Sequence, residues 1–382
     1  MAGLYLHIPF CAKRCIYCDF YSNTDMGYKE ACIAALLSEM DIRHNYLQGE
    51  MVETIYFGGG TPSRLQPRDL EKLLDGIYRI FPVSDHPEIT LEANPDDLSD
   101  SYVSSLKNLP VNRISIGIQS FDDRELRLLN RRHTAQEALR SVARCKNAGW
   151  TNISIDLMYG LPEQTMEIWL HTIDKAIELD VSHISAYNLT YEEGTVIYKM
   201  MECKKLKLVE DELCEQFFRK LTEKLTSAGF IHYEISNFAG RSAFYPDGRI
   251  SLHNSSYWNG TRYLGLGPSA HSYDGKSRSR NVSSISGYIG AINNRSGELY
   301  ETEVLDERAR YNDFIITRLR TMWGVSLDEL RREFGKERER YFLEKSEAFM
   351  CYNMLKKQGD FVKVTSEGIF VSDAIMRELI VL

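Results

Sequence analysis

Along the first two-thirds of the chain, short apolar runs rich in β-branched residues alternate with longer stretches whose apolar residues recur every three or four positions. The first pattern predicts buried strands, the second amphipathic helices, and their alternation predicts βα units around a parallel sheet. Six strands are expected: Leu4–His7, Thr54–Phe57, Glu88–Glu92, Arg113–Ile118, Asn152–Met158 and His183–Leu189. Between them the spacing predicts helices over Tyr28–Tyr46, where Ile33, Leu36, Leu37 and Met40 share a face, over Pro67–Phe81, and over Ala135–Ala148, which stops at Gly149. Each strand runs out into a polar or glycine-rich segment, such as Gly58-Gly59-Gly60-Thr61-Pro62, Ala93-Asn94-Pro95 or Gln119-Ser120-Phe121. Ligands of parallel α/β folds bind beyond the carboxyl ends of the strands. The expected fold class is therefore α/β, a partly open barrel of six βα units.

The pattern changes after a helix predicted over Asp211–Ser227. Residues Phe230–Tyr273 are rich in Gly, Asn, Tyr and Trp, and Asn281–Gly297 reads as a Ser/Gly/Asn-rich connection. From Asp306 a second unit is expected, with helices over Arg308–Arg320, from Ser326, and over Glu344–Gln358. A hairpin follows, Phe361–Thr365 and Ile369–Ser372 around Ser366-Glu367-Gly368. Three helices and a β-wing give a winged-helix-like α+β domain. The expected boundaries are a barrel over 1–228, an accessory segment over 229–300 and the C-terminal domain over 301–382.

A length of 382 residues suits one large and one small domain. The composition, 43% hydrophobic and 26% charged, is that of an ordinary globular protein. A net charge of −8 argues against nucleic acid as the main partner, and in the C-terminal unit Arg and Lys alternate with Asp and Glu, which favours packing or partner docking over DNA binding. No apolar run reaches the length of a membrane span and no signal-peptide pattern opens the chain, so a cytoplasmic location is expected; a peripheral membrane contact stays open. Of 8 cysteines, three cluster near the start and five are scattered without a framework spacing, as in a reducing compartment.

The clustered three carry the chemistry. Cys11-Ala-Lys-Arg-Cys15-Ile-Tyr-Cys18 directly follows the first strand. Structural zinc takes four protein ligands, and no nearby fourth Cys or His completes such a set. A [4Fe–4S] cube held by three thiolates keeps one iron open for a further ligand. This spacing, with Tyr17 before the last Cys, resembles the signature of the radical S-adenosylmethionine (SAM) superfamily. The resemblance implies a partial (β/α)6 radical SAM barrel. It also implies a cluster whose open iron is chelated by SAM, and reductive cleavage of the SAM sulfonium bond. Lys13 and Arg14 would offset negative charge there, or are simply solvated.

Further text is similar to one family, the oxygen-independent coproporphyrinogen III oxidases and the haem chaperones related to them. It includes Gly59-Gly60-Thr61-Pro62, Glu92-Ala93-Asn94-Pro95, Gly117-Ile118-Gln119-Ser120-Phe121, Asn130-Arg131 and Asp156-Leu157-Met158-Tyr159-Gly160. The resemblance implies SAM contacts from Tyr5, Gly59, Gly60, Thr61, Glu92, Gln119, Arg131 and Asp156. Gln119, Arg131 and Asp156 would also line the second SAM site that some members hold. Glycines admit close backbone approach, Arg131 can pair with a carboxylate, and Glu92 and Asp156 can accept from an amine or hydroxyls.

Three features separate the chaperone branch from the oxidases and favour the former. The oxidases carry a fourth cysteine two residues after the third, where this chain has Asp19-Phe20, and they carry a longer segment before the cysteines. In addition, His253-Asn254-Ser255-Ser256-Tyr257-Trp258 resembles the HNxxYW motif associated with haem in the chaperone branch. His253 could ligate iron while Tyr257 and Trp258 pack on a porphyrin. A hydrogen-bonded structural histidine is the other reading of His253, and His271, His232 and Cys203 are rival ligands. The implied function is a haem chaperone that binds haem and a SAM-ligated [4Fe–4S] cluster and hands haem to respiratory haem proteins. The alternative is radical decarboxylation of coproporphyrinogen III; radical modification of RNA is disfavoured by the charge. Haem held between two protomers stays open.

Overall fold

All six predicted strands form, in a computed structural model that describes residues 1–243, 245–294 and 299–381. They are β1 (Ala2–Ile8), β2 (Val52–Gly59), β3 (Val83–Ala93), β4 (Arg113–Gln119), β5 (Ile153–Tyr159) and β6 (His183–Asn188). Each is parallel to the next in chain order. Side chains alternate across a strand, and here the alternation divides the sheet into two chemically different faces. Leu4, Leu6 and Ile8 of β1, Ile55 and Phe57 of β2, Ile89 and Leu91 of β3, and Ile114, Ile116 and Ile118 of β4 are all buried in the main core. Helices Lys29–Ile42, Pro67–Ile80, Ala135–Asn147 and Met166–Glu178 add their buried faces to the same core. The intervening residues, among them Tyr5, Tyr56, Glu92, Arg113, Asp156 and His183, line a cavity of about 550 Å³ on the inner face.

Local signals hold the predicted helices in place. Thr134 and Glu137 form a reciprocal cap at the start of Ala135–Asn147: the Glu137 amide donates to Thr134 Oγ1 at 3.3 Å and the Thr134 amide to Glu137 Oε2 at 2.7 Å. Gly149 follows with φ 90°, as the cap position requires. The helix Asp211–Ser227 has its expected bounds.

Residues 229–300 extend the sheet at both edges. One edge receives β7 (Phe230–Glu234) and β8 (Asn237–Gly240), the latter antiparallel to β6. The other receives β9 (Arg262–Leu266), parallel to β1, then antiparallel β10 (His271–Tyr273), β11 (Ser277–Asn281) and β12 (Tyr300–Val304). The connection expected over Asn281–Gly297 contains a helix, Ile285–Asn294, whose Tyr288, Ala291 and Ile292 pack with Ala35 of Lys29–Ile42. Residues 295–297 of that connection lie outside the described residues.

The C-terminal unit has its own core around Tyr311, Phe314, Leu330, Phe342, Val362 and Ile375. Helix Glu307–Leu319 matches the first expected helix. The next, Leu327–Cys351, is broken at Gly335 (φ 82°, ψ 170°) into two pieces, so the expected second and third helices meet there and the third ends earlier than expected. The wing is shifted. Its hairpin pairs β14 (Leu355–Gln358) with β15 (Phe361–Val364) around Gly359, with β13 (Val325–Ser326) beside β15. Gly359, at φ 60°, supplies the left-handed turn, and the stretch expected as a second wing strand turns into the helix Ser372–Leu379.

Candidate functional site

The cysteine loop leaves β1 through Pro9 and Phe10 and is tied down on both sides. The Cys11 amide donates to the Asn23 carbonyl at 2.9 Å, and the Ile197 amide to the Ile16 carbonyl at 3.0 Å. Asn130 Nδ2 donates to the Arg14 carbonyl at 2.8 Å. All three cysteines are free thiols. A chain of side-chain hydrogen bonds runs from the first sulfur to the second. Thr61 Oγ1 donates to Cys11 Sγ at 3.4 Å, and Asn94 Nδ2 donates to Thr61 Oγ1 at 3.3 Å. Arg131 then donates through Nη2 to Asn94 Oδ1 at 2.6 Å and through Nη1 to Cys15 Sγ at 3.4 Å. Thr61 and Arg131, expected SAM contacts, are thereby brought together with Cys11 and Cys15, and Asn94 is the link that sequence reasoning left out.

This donor set fits an iron–sulfur cluster. Burial, with repulsion from Cys15, raises the Cys11 thiol and pushes Cys18 up to about 11. Thiols so placed ionise only against compensating positive charge, which cluster iron supplies. Burial opposes the charge of Arg131, but Tyr17 and Cys15 beside it keep it protonated. Its hydrogen bond to the Cys15 sulfur is of the kind that tunes such clusters. Among the described residues no three His, Cys, Asp or Glu side chains close around a single metal ion; a cube spreads its three thiolates over three separate irons.

The glycine run is dictated first by packing. A Cβ on Gly59 (φ 105°) would lie 2.5 Å from the His7 ring, and one on Gly60 would lie 2.8 Å from the backbone of Ile8 and Pro9. The run therefore seats the end of β2 against the root of the cysteine loop. The Gly59 amide donates to Glu92 Oε2 at 3.2 Å and the Tyr56 hydroxyl to Glu92 Oε1 at 2.7 Å. Burial, with the charge of Asp156 nearby, raises the Glu92 carboxyl to about 7 despite those donors. Asp156 is raised by burial to about 6, held back by Arg113 and by Ser185 and Ser115. Two carboxyls poised near neutrality in one enclosed cavity suit the capture of a cationic ligand. Tyr5 lines the same cavity, its hydroxyl 3.1 Å from His7 Nδ1. Gln119, at φ 71°, ends β4 in a left-handed conformation unusual for a side-chain-bearing residue, where β4 and β5 slip register. Its Nε2 lies on the same side as the Arg131 guanidinium, both within 3.4 Å of where a Gly117 Cβ would stand.

His253 and Tyr257 face the cavity from the helix Leu252–Trp258, one turn apart, while Trp258 points the other way. The imidazole is held at both nitrogens: Nδ1 lies 2.8 Å from Thr54 Oγ1 and Nε2 2.9 Å from the Tyr257 hydroxyl. Its ring stacks on Tyr56 at 4.8 Å, and burial lowers its pKa to about 3. Glu88 accepts from the Leu252 and His253 amides, capping the helix start. At the other end Arg318 of the C-terminal unit donates to the carbonyls of Trp258 and Asn259, and Arg320 stacks on Trp258. HNxxYW thus splits into three cavity-lining residues, His253, Asn254 and Tyr257, and an anchor for the C-terminal unit, Trp258.

Sequence reasoning missed Arg113, which is buried, shares the cavity with Asp156, and sits 3.5 Å from His183 Nδ1. A lone arginine heading the apolar run Ile114-Ser115-Ile116 was its signal.

Comparison with known proteins gives the family and the fold. The Radical SAM superfamily model matches residues 5–176, and the HemN C-terminal domain model matches residues 305–371. The chain is 36% identical to the Heme chaperone HemW of Bacillus subtilis over 90% of this chain and 89% of that one. It is 31% identical to the Heme chaperone HemW of Mycobacterium tuberculosis over 99% and 94%. Among solved structures, coproporphyrinogen III oxidase (HemN) from Escherichia coli superposes with a TM-score of 0.85 at 22% identity, covering 99% of this chain and 89% of that one. That match identifies the fold as the HemN-type partial barrel with its C-terminal domain. The chain belongs to the HemW family of radical SAM proteins.

Proposed function

We propose that this protein is a haem chaperone: it binds haem, carries a SAM-ligated [4Fe–4S] cluster on Cys11, Cys15 and Cys18, and delivers haem to haem proteins of respiration. The observation that carries the reading is Asp19-Phe20. Where the oxidases place a fourth thiol, this chain puts a phenyl ring that is 68% exposed at the cavity mouth. An exposed aromatic there suits a flat apolar ligand and leaves the oxidase site without its extra sulfur. The names borne by its relatives support the same reading.

When bound, the cluster and SAM supply one-electron chemistry at the sulfonium. Glu92 accepts the SAM amine, and Gly59 and Gly60 present backbone to it. Tyr5 and Thr61 close the pocket around it, while Gln119, Arg131 and Asp156 hold the remaining polar groups. His253 and Tyr257 form the inner wall toward haem. Homodimer formation on haem binding and a peripheral membrane contact belong to the same proposal.

The test is an anaerobic assay of the cluster-loaded protein with reductant, SAM and coproporphyrinogen III, following protoporphyrinogen and 5′-deoxyadenosine, beside a haem titration. Stoichiometric haem binding without porphyrin product is expected. Porphyrin turnover, or no haem binding at low micromolar protein, overturns the reading.

A further inference from the structure

We infer that the groove between the barrel and the C-terminal unit is a docking site for a partner protein, which enters it with a segment of acidic and apolar side chains. The groove is a second cavity, of about 450 Å³, and shares no lining residue with the first. One wall is the helix Asp211–Ser227 with β7; the other is the hairpin of β14 and β15 with the end of the helix Glu307–Leu319.

The hairpin carries an arrangement that folding alone disfavours. Lys356 of β14 stands directly opposite Lys363 of β15, and both line the groove. Like charges so opposed destabilise a ladder, and neither lysine has an ion-pair partner among the described residues. The Lys363 ammonium lies over the Phe361 ring at 5.8 Å instead. The acids of the groove are already engaged: Glu223 by Lys220 at 2.8 Å, and Glu234 by the Ser236 amide at 3.2 Å and by the Asn237 side chain. Arg219 is likewise paired, with Glu215 at 2.7 Å. Two lysines are therefore left over in one groove of a chain whose net charge is −8. In the same lining, Thr222 Oγ1 and Arg320 Nε are buried without a hydrogen-bond partner.

The apolar part of the lining decides what kind of anion fits. Phe218 and Phe370 lie with their rings 6.3 Å apart, and Ile369 and Met322 share the lining with them. Phe370 and Met322 stay 36% and 37% exposed, and their chain neighbours Val371 and Trp323 are exposed as well. A free inorganic anion would leave this surface uncovered. A flat bilayer does not enter a concave groove, and nucleic acid calls for a broader basic field than two lysines on an acidic chain. A protein segment meets both demands, with apolar anchors in the pocket and carboxylates on the lysines. Tyr233 joins the groove to the inner cavity: it lines the groove, and its hydroxyl lies 2.8 Å from Nε2 of His183, which lines the cavity. A docked partner thus sits one hydrogen bond from the site described above.

Fluorescence anisotropy of labelled peptides with the full chain tests this. A helical peptide of leucine and glutamate should bind at micromolar concentration and weaken several-fold between low and physiological salt. The same peptide with lysine for glutamate, or with serine for leucine, should not bind. Lys356→Glu with Lys363→Glu should weaken the leucine–glutamate peptide about tenfold and take the lysine peptide instead. Phe370→Ser should weaken it about tenfold with the salt dependence kept. Lys363→Glu alone replaces repulsion by attraction across the hairpin, so the melting temperature should rise by about 1 °C while binding falls, which separates loss of the site from unfolding. Failure of the parent chain to bind the leucine–glutamate peptide, equal binding of all three peptides, or unchanged binding in the double variant overturns the assignment. Binding of inorganic pyrophosphate or of phosphatidylglycerol vesicles in place of the peptide, lost in the double variant, overturns it in favour of a small anion or a membrane.

Discussion

Glu92 meets two demands that conflict. It sits half-buried in the cavity wall, yet the proposed role needs it charged. Its carboxyl, raised by burial to about 7, keeps a proton in the folded protein that the unfolded chain releases near 4.5. Its contribution to stability is therefore full below about pH 4.5 and is lost as pH rises through about 7. Buried histidines act in the opposite sense: His253, lowered by burial to about 3, and His7, lowered to about 4, cost stability as pH falls below 6.5. Glu92→Gln should raise the melting temperature at pH 8 more than at pH 5, and should weaken retention of SAM by about tenfold. Calorimetry at the two pH values and equilibrium dialysis with SAM check both. Cys11→Ser, Cys15→Ser or Cys18→Ser should remove most of the iron and the visible absorption of reconstituted protein, because one thiolate ligand is lost; normal iron content would refute the cluster assignment. The cysteines were legible in the sequence because their spacing is a local constraint. Asn94, Tyr56 and Arg113 were not, since what they do depends on which strand lies beside them.

The short helix Leu252–Trp258 is fixed from outside at both ends, by Glu88 from β3 and by Arg318 from the C-terminal unit. Seven residues are too few to form a stable helix alone. Arg318→Ala removes donors to two carbonyls and an ion pair with Glu329, and should cost about 1–3 kcal/mol in unfolding experiments without changing iron content. Gly335→Ala, at φ 82° and ψ 170° where residues with a Cβ are scarcely found but with open space around the missing Cβ, should cost about 1–3 kcal/mol through backbone strain alone. The six parallel strands were legible because buried strands read as apolar runs with polar endings. The helix Ile285–Asn294 was hidden by its Ser, Gly and Asn content, and it depends on contact with Lys29–Ile42. The wing was misplaced by one turn because Gly359 and Gly368 are both competent turn residues, and only the pairing of Leu355 with Val364 decides between them.

On the scale of the whole molecule, the HemN-type fold encloses a polar interior, unlike the apolar filling usual in closed (β/α)8 barrels. That inversion was written in the sequence as the inner register Tyr5-x-His7, Thr54-x-Tyr56, Glu88-x-Thr90-x-Glu92 and Arg113-x-Ser115. It becomes readable only once the outer register is known to face helices. The barrel and the C-terminal unit have separate cores and meet through Arg318, Arg320 and the Arg278–Asp313 pair. Loading of the cavity with ferric haem should therefore slow amide exchange in Leu252–Trp258 and in Glu307–Leu319, as read by mass spectrometry. The grip of Arg318 on the end of the His253 helix has a thermodynamic consequence. If filling the cavity changes how tightly the C-terminal unit holds another protein, that protein must change the cavity's affinity by the same factor. On the proposed delivery of haem, an acceptor that docked on the C-terminal unit and preferred the empty form would loosen the cargo simply by docking.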